Sequence, residues 1–199
     1  IPRKTPGIAS NQHVRLFTFM DLQTLTAQVE NLDAAPPFDK WHPPFCGDID
    51  MVIKADGSWW YMGSPIGRER LVKLFASVLL KEGDEYFLKT PAEKVRIQVE
   101  DAPFVITQWQ THNTEEGPAI EVISNLGHAA VLSESHPLEV DHSNPDQPRP
   151  YVTLHRGLKA LVHRNVFYQW VDIARQVNKN GEEYLVINSG KSEFSLGKL

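Results

Sequence analysis

The sequence predicts an α+β protein of two domains that repeat a β-β-α-β motif, and three observations carry that prediction. Residues 83–88, GDEYFL, recur as residues 181–186, GEEYLV, each time just after an amphipathic helical stretch. Asp56-Gly57, set between two extended runs, is the strongest short hairpin signal in the chain. Between the copies lie three β-rich runs, 95–99, 104–109 and 119–123, separated by the turn signals Asp101-Ala102-Pro103 and Glu116-Gly117-Pro118. The C-terminal half is therefore the larger, a bent antiparallel sheet or barrel capped by a helix.

The elements follow in order. Met20, Leu22, Leu25, Val29 and Leu32 recur at helical spacing with Asp21 near the start, which predicts a short N-terminal helix. A loop, APPFDKWHPPFCG, follows. In it Pro36, Pro37, Pro43 and Pro44 preclude a regular helix and hold Trp41, His42 and Phe45 on a stiffened backbone. Residues 48–63 form the hairpin. Gly67 and Arg68 then open a helix with an inward stripe of Leu71, Leu74, Phe75 and Val78, and Tyr86, Phe87 and Leu88 return as a strand. In the second copy, LEVDH and residues 151–154 are strands, Val166, Trp170, Ile173 and Val177 share a helical face, and residues 184–187 close the motif. Thr90-Pro91 marks the boundary, giving domains of 1–91 and 92–199.

Composition excludes several classes of function. The chain has 199 residues, 41% of them apolar and 23% charged, enough for a true core and unlike a disordered protein. Its net charge of −5 repels polyanions, so bulk nucleic-acid binding is not expected. The single cysteine, Cys46, cannot form an intramolecular disulfide and fits a reducing cytoplasm. No apolar run approaches the roughly 20 residues that span a bilayer. The first residues, IPRKTPGIASNQ, lack an apolar signal core and a starting Met, as a trimmed start would, and the chain reads as cytoplasmic.

Three runs, CGDIDMVIKADGSWWYMGSPIGRERLVKLF, TPAEKVRIQVEDAPF and PRPYVTLHRGLKALVHR, resemble the bacterial family catalogued as domain of unknown function 1285, over about residues 36–196. The resemblance implies a two-domain fold with repeated motifs and a second domain like a pleckstrin-homology barrel. It also implies a ligand site at the domain interface, for a nucleotide-like molecule, and a role in signal transduction. It implies no catalytic activity.

Four constellations can carry chemistry. The turn Gly63-Ser64-Pro65-Ile66-Gly67-Arg68 leads into a helix whose free N–H groups, with Arg68 and Arg70, suit a phosphate or carboxylate; in the plainer reading Ser64 or Gly67 only caps the helix. It is not a P-loop, since the GK[ST] ending is absent. Asp48 and Asp50 stand on one side of a strand, with Glu100 and Asp101 available from the later turn. They are either Mg²⁺ ligands or salt-bridge partners of Arg68, Lys94 or Arg156. A basic run, Arg149, His155, Arg156, Lys159, His163, Arg164 and Arg175, is interleaved with Tyr151, Phe167, Tyr168 and Trp170. It either clasps an anionic planar ligand or forms a solvated face over core aromatics. The eight histidines, His13 and His136 among them, fall at no metal or catalytic spacing, and no nucleophile elbow occurs.

The leading functional reading is a non-catalytic sensor without cofactor or metal. It binds a small anionic, nucleotide-like ligand between its domains through Trp41, Asp48, Asp50, Gly67, Arg68, Asp101, Arg156 and Arg164, and a signalling protein reads the change in domain angle. The alternatives are a Mg²⁺-dependent phosphate-ester hydrolase using Asp48, Asp50 and Asp101, and a protein-interaction or membrane-surface adaptor using the basic run.

Overall fold

The computed structural model describes residues 21–32 and 37–199; Met20, Pro36 and His13, named above, lie outside them. Helix α1 (Leu22–Glu30) starts where Asp21 accepts a hydrogen bond from the Thr24 backbone N–H at 2.8 Å. Its Leu25 and Val29 are fully buried, as the spacing predicts. A 3-10 turn, Phe38–Lys40, then brings the chain to the first sheet.

That sheet is built from β1 (Phe45–Ile53), β2 (Trp59–Tyr61), β3 (Ser64–Pro65), β4 (Leu79–Glu82), β5 (Glu85–Lys89) and β6 (Lys94–Val99). Helix α2 (Glu69–Ser77) is inserted between β3 and β4. The strand order is β3-β2-β1-β6-β5-β4, with β1 and β6 parallel and the other neighbours antiparallel. The Asp56-Gly57 hairpin is present, joining β1 to β2. Phe75 of α2 stacks on Trp59 at 6.3 Å, and this pair seats the helix on the sheet.

Two expectations change here. The β-β-α-β motif is fuller, because Ser64–Pro65 and Leu79–Glu82 also pair as strands. The boundary placed at Thr90-Pro91 falls inside the first sheet, since β6 lies beyond it and is bonded to both β5 and β1. Thr90 is fully buried, donates to Gln28 Oε1 and receives a bond from the Glu93 N–H, so Thr90-Pro91 marks an intrasheet turn.

The second sheet comprises β7 (Phe104–Thr114), β8 (Gly117–Ser124), β9 (Ala129–Val131), β10 (Leu138–Asp141), β11 (Arg149–Thr153) and β12 (Lys159–Val162). Its order is β10-β11-β12-β7-β8-β9, again with one parallel pair, β12 and β7. Helix α3 (Arg164–Ile173) follows, and then a third, antiparallel sheet of β13 (Arg175–Lys179), β14 (Glu182–Ser189) and β15 (Ser192–Lys198). Helix α3 buries Val166, Phe167 and Trp170. The predicted stripe is cut short at its end: Ile173 is 56% exposed, and Val177 belongs to β13 because Ala174 turns the backbone to an extended conformation. The molecule is thus a mostly-β α+β protein with mixed sheets and, among the described residues, three α-helices. Residues of all three sheets share one contiguous apolar core. Among the described residues no helix is long and apolar enough to cross a membrane.

Candidate functional site

A cleft lies where the first hairpin meets the second sheet. There Ala55 and Asp56 from the β1–β2 turn face residues 146–150 before and within β11, Leu161 and Val162 of β12, and the start of α3. Together they enclose a cleft of about 600 Å³. Gly57 makes the junction. Its carbonyl accepts a bond from Asn125 Nδ2 at 3.4 Å, and Asn125 in turn accepts from the Val105 N–H at 3.1 Å through Oδ1. Val105 forms part of the cleft floor.

The walls carry the chemistry. His163 caps α3, its Nδ1 accepting from the Asn165 N–H at 3.3 Å, and the capped start of the helix borders the cleft through His163 and Arg164. Arg164 is the first residue of the helix, Arg149 stands opposite on β11, and the Phe167 and Tyr168 rings complete the lining. Phe167 is buried, whereas Tyr168 is 55% exposed and so leaves an aromatic face open beside the guanidiniums. Cations, a helix N-terminus and aromatic surface in one cavity can hold an anion attached to a planar group.

Other predicted residues lie elsewhere. Arg156, in a left-handed conformation at φ 53°, turns its guanidinium away to donate to the carbonyls of Ser77 at 3.1 Å and Ala76 at 3.5 Å, at the C-terminus of α2. It also lies 4.6 Å from the Phe38 ring centre. Arg156 therefore ties the second sheet to the end of α2 and does not line the cleft. Trp41 packs at 5.9 Å from Phe38. Gly67 and Arg68 border a different groove, between α1 and the β2–β3 turn; Arg68 occupies the N-cap position of α2 without a side-chain capping bond.

The acids do not assemble. Asp48 is held by Arg96 in a two-point pair at 2.7 and 3.0 Å, and that guanidinium, which also reaches Glu85, keeps Asp48 below the usual carboxylate range. The expected partners Arg68, Lys94 and Arg156 are not used. Asp50 is exposed. Asp101 accepts from Arg149 Nη2 at 2.6 Å and from the Tyr151 hydroxyl at 2.8 Å. Burial and this carboxylate push Tyr151 up to about 12. Among the described residues no group of three or more His, Cys, Asp or Glu forms a metal site. The structure thus brings together Arg149, His163, Arg164, Phe167 and Tyr168. It leaves Trp41, Asp48, Asp50, Gly67, Arg68 and Arg156 outside the cleft, with Asp101 touching it only through Arg149. Asp56, legible in the sequence only as a turn residue, and the loop before Arg149 are additions to the site.

Beside Arg156, His155 packs against His128 at 4.8 Å and Phe104 at 5.8 Å between ring centres. Burial first, then Arg156, pulls His155 down to about 4 from its usual 6.5. His128 is lowered for the same leading reason. The folded state therefore keeps His155 neutral where the unfolded chain takes up a proton. Its stabilising effect is complete above pH 6.5 and is lost as pH falls from 6.5 toward 4. Urea unfolding across that window should show stability falling with acidity, and His155→Gln should flatten the slope by about one proton. An unchanged slope would show that His155 titrates normally in the fold.

The domain of unknown function DUF1285, N-terminal domain, matches residues 36–102, and the protein of unknown function DUF1285, C-terminal domain, matches residues 103–196. The two matches meet just before β7. A crystal structure of a DUF1285 family protein from Silicibacter pomeroyi DSS-3 is similar at a TM-score of 0.77 and 36% identity, covering 88% of this chain and 95% of the other. A second, from Shewanella baltica OS155, is similar at 0.51 and 31% identity, covering 62% of this chain and 91% of the other. No curated protein matches.

Proposed function

The chain belongs to the DUF1285 family, and from that premise we propose that it is a non-catalytic binding protein that takes a small, anionic, nucleotide-like ligand in the cleft between its two domains. The observation that carries this reading is the convergence of Arg149, Arg164, the His163-capped start of α3 and the exposed Tyr168 ring on one cavity walled by both domains. The guanidiniums and helix start receive the anion, and Tyr168 stacks on the planar part. Because Ala55 and Asp56 come from the other domain, a ligand in the cleft bears on the angle between the two, which a signalling partner then reads.

The architecture supports a duplication. GDEYFL spans the β4–β5 turn and β5, and GEEYLV spans the β13–β14 turn and β14. In each case a helix, α2 or α3, precedes an antiparallel meander of three strands. The likeness of the second and third sheets with α3 to a pleckstrin-homology barrel is part of this reading as an analogy alone. The hydrolase reading loses its footing, since Asp48 and Asp101 are separately engaged by Arg96 and Arg149.

The test is a thermal-shift screen of nucleotides, cyclic nucleotides and sugar phosphates, followed by calorimetric titration of the hits. A ligand at about a hundredfold its dissociation constant adds about 2.7 kcal/mol. Arg164→Ala should weaken binding by about tenfold or more, as the loss of a charged hydrogen bond does. A hit that binds Arg164→Ala as well as wild type would place the site elsewhere.

A further inference from the structure

Both carboxylate oxygens of Asp101 are bonded by one strand. Arg149 Nη2 donates to Oδ2 at 2.6 Å and the Tyr151 hydroxyl donates to Oδ1 at 2.8 Å, both from β11. Asp101 lies in the connection from β6 to β7, where the chain passes from one domain to the other. These two bonds therefore fasten the interdomain connection to the second sheet. The Asp101 side chain is only 15% exposed, but that of Arg149 is 47% exposed, and the same residue lines the ligand cleft.

Arg149 thus stands between the linker carboxylate, which it bonds, and the interior of the cleft, which it lines. Arg149 reaches Asp101 through Nη2 alone, so an anion in the cleft that drew this nitrogen would take it from the carboxylate. Lys81 shares a second cavity with Asp101, so a carboxylate that loses Arg149 still has a cation nearby, whereas Lys159 in the same cavity is held by Glu139 at 2.7 Å. The surroundings suit two arrangements of one charge pair.

We propose that Arg149 couples the cleft to the domain joint: an anion bound in the cleft competes with Asp101 for this guanidinium and releases one of the two ties on the interdomain connection. The proposal rests on the reading of the cleft given above and adds how occupancy leaves it. Reciprocity sets a sharp requirement. If the anion weakens the Arg149–Asp101 tie, that tie must weaken anion binding by the same factor.

The experiment is a calorimetric titration with adenosine 5′-monophosphate and with inorganic phosphate, on the full chain. Asp101→Asn keeps an acceptor for Tyr151 but removes the charge that competes for Arg149, and should tighten binding by about fivefold or more. Hydrogen exchange in residues 100–103 should quicken when adenosine monophosphate is added to wild type and should already be fast in Asp101→Asn without it. Binding that Arg164→Ala abolishes but Asp101→Asn leaves unchanged, or weakens, overturns the coupling and leaves the cleft reading intact. Binding of neither probe by wild type overturns both. Should Asp101→Asn fail to fold, the Arg149 Nε resonance in wild type reads the same event, and its failure to move as the monophosphate binds overturns the coupling.

Discussion

Replacing Trp170 with alanine should cost about 3–5 kcal/mol of stability, the largest single loss expected outside the sheets. Trp170 is fully buried on the inner stripe of α3, and its ring meets Trp109 of β7 edge to face at 6.3 Å and 77°. Among the described residues its indole N–H has no hydrogen-bond partner. Truncation therefore breaks no polar network, and the cost comes from lost apolar transfer and the cavity left behind. The total stability of a domain is only about 5–15 kcal/mol, so a loss of this size is measurable as a shifted urea midpoint. Binding should suffer as well. Trp170 and Phe167 pin the helix whose first turn presents Arg164 and whose exposed side presents Tyr168, so loosening α3 blurs the cleft wall. Trp170→Phe keeps an aromatic partner for Trp109 and should lose less on both measures. A cost below about 1 kcal/mol for the alanine would mean that α3 is not anchored as described.

What the sequence made legible was mostly local. The Asp56-Gly57 turn is recognisable because its chemistry is contained in two residues, and α1 because Asp21, Leu25 and Val29 write both cap and stripe within one segment. The basic and aromatic cluster around α3 was legible for the same reason: Arg164, Phe167 and Tyr168 lie within five positions of each other. Long-range pairing was not. The parallel partnership of β1 with β6 joins segments separated by the whole of α2 and the β4–β5 hairpin, and nothing in the composition near Thr90-Pro91 announces it. Arg156 reads as a free cation in sequence because its partners are backbone carbonyls at positions 76 and 77, which carry no side-chain signature. Likewise Asp48 finds Arg96, and Asp101 finds Arg149, only through strand register.

Gly57→Ala should destabilise the protein by two separate routes whose sum is about 2–6 kcal/mol. Gly57 sits at φ +85°, where a side chain is strained, and an added Cβ would lie 2.7 Å from Asn125 Nδ2 and 3.0 Å from Val105 Cγ2. Neither neighbour is free to yield, since Asn125 is bonded to the Val105 N–H and Val105 forms part of the cleft floor. Gly63 supplies the control. It has a similar φ of +75° but nothing within 4 Å of an added Cβ, so Gly63→Ala carries the backbone strain alone, about 1–3 kcal/mol. The difference between the two variants, read from urea unfolding, isolates the contact between the domains. That same difference should reappear in ligand affinity, because Ala55 and Asp56 on the cleft wall are positioned by the docking of Gly57 on Asn125. Equal losses in the two alanine variants would mean that the hairpin does not press on the second domain, and the cleft would then have no fixed wall on that side.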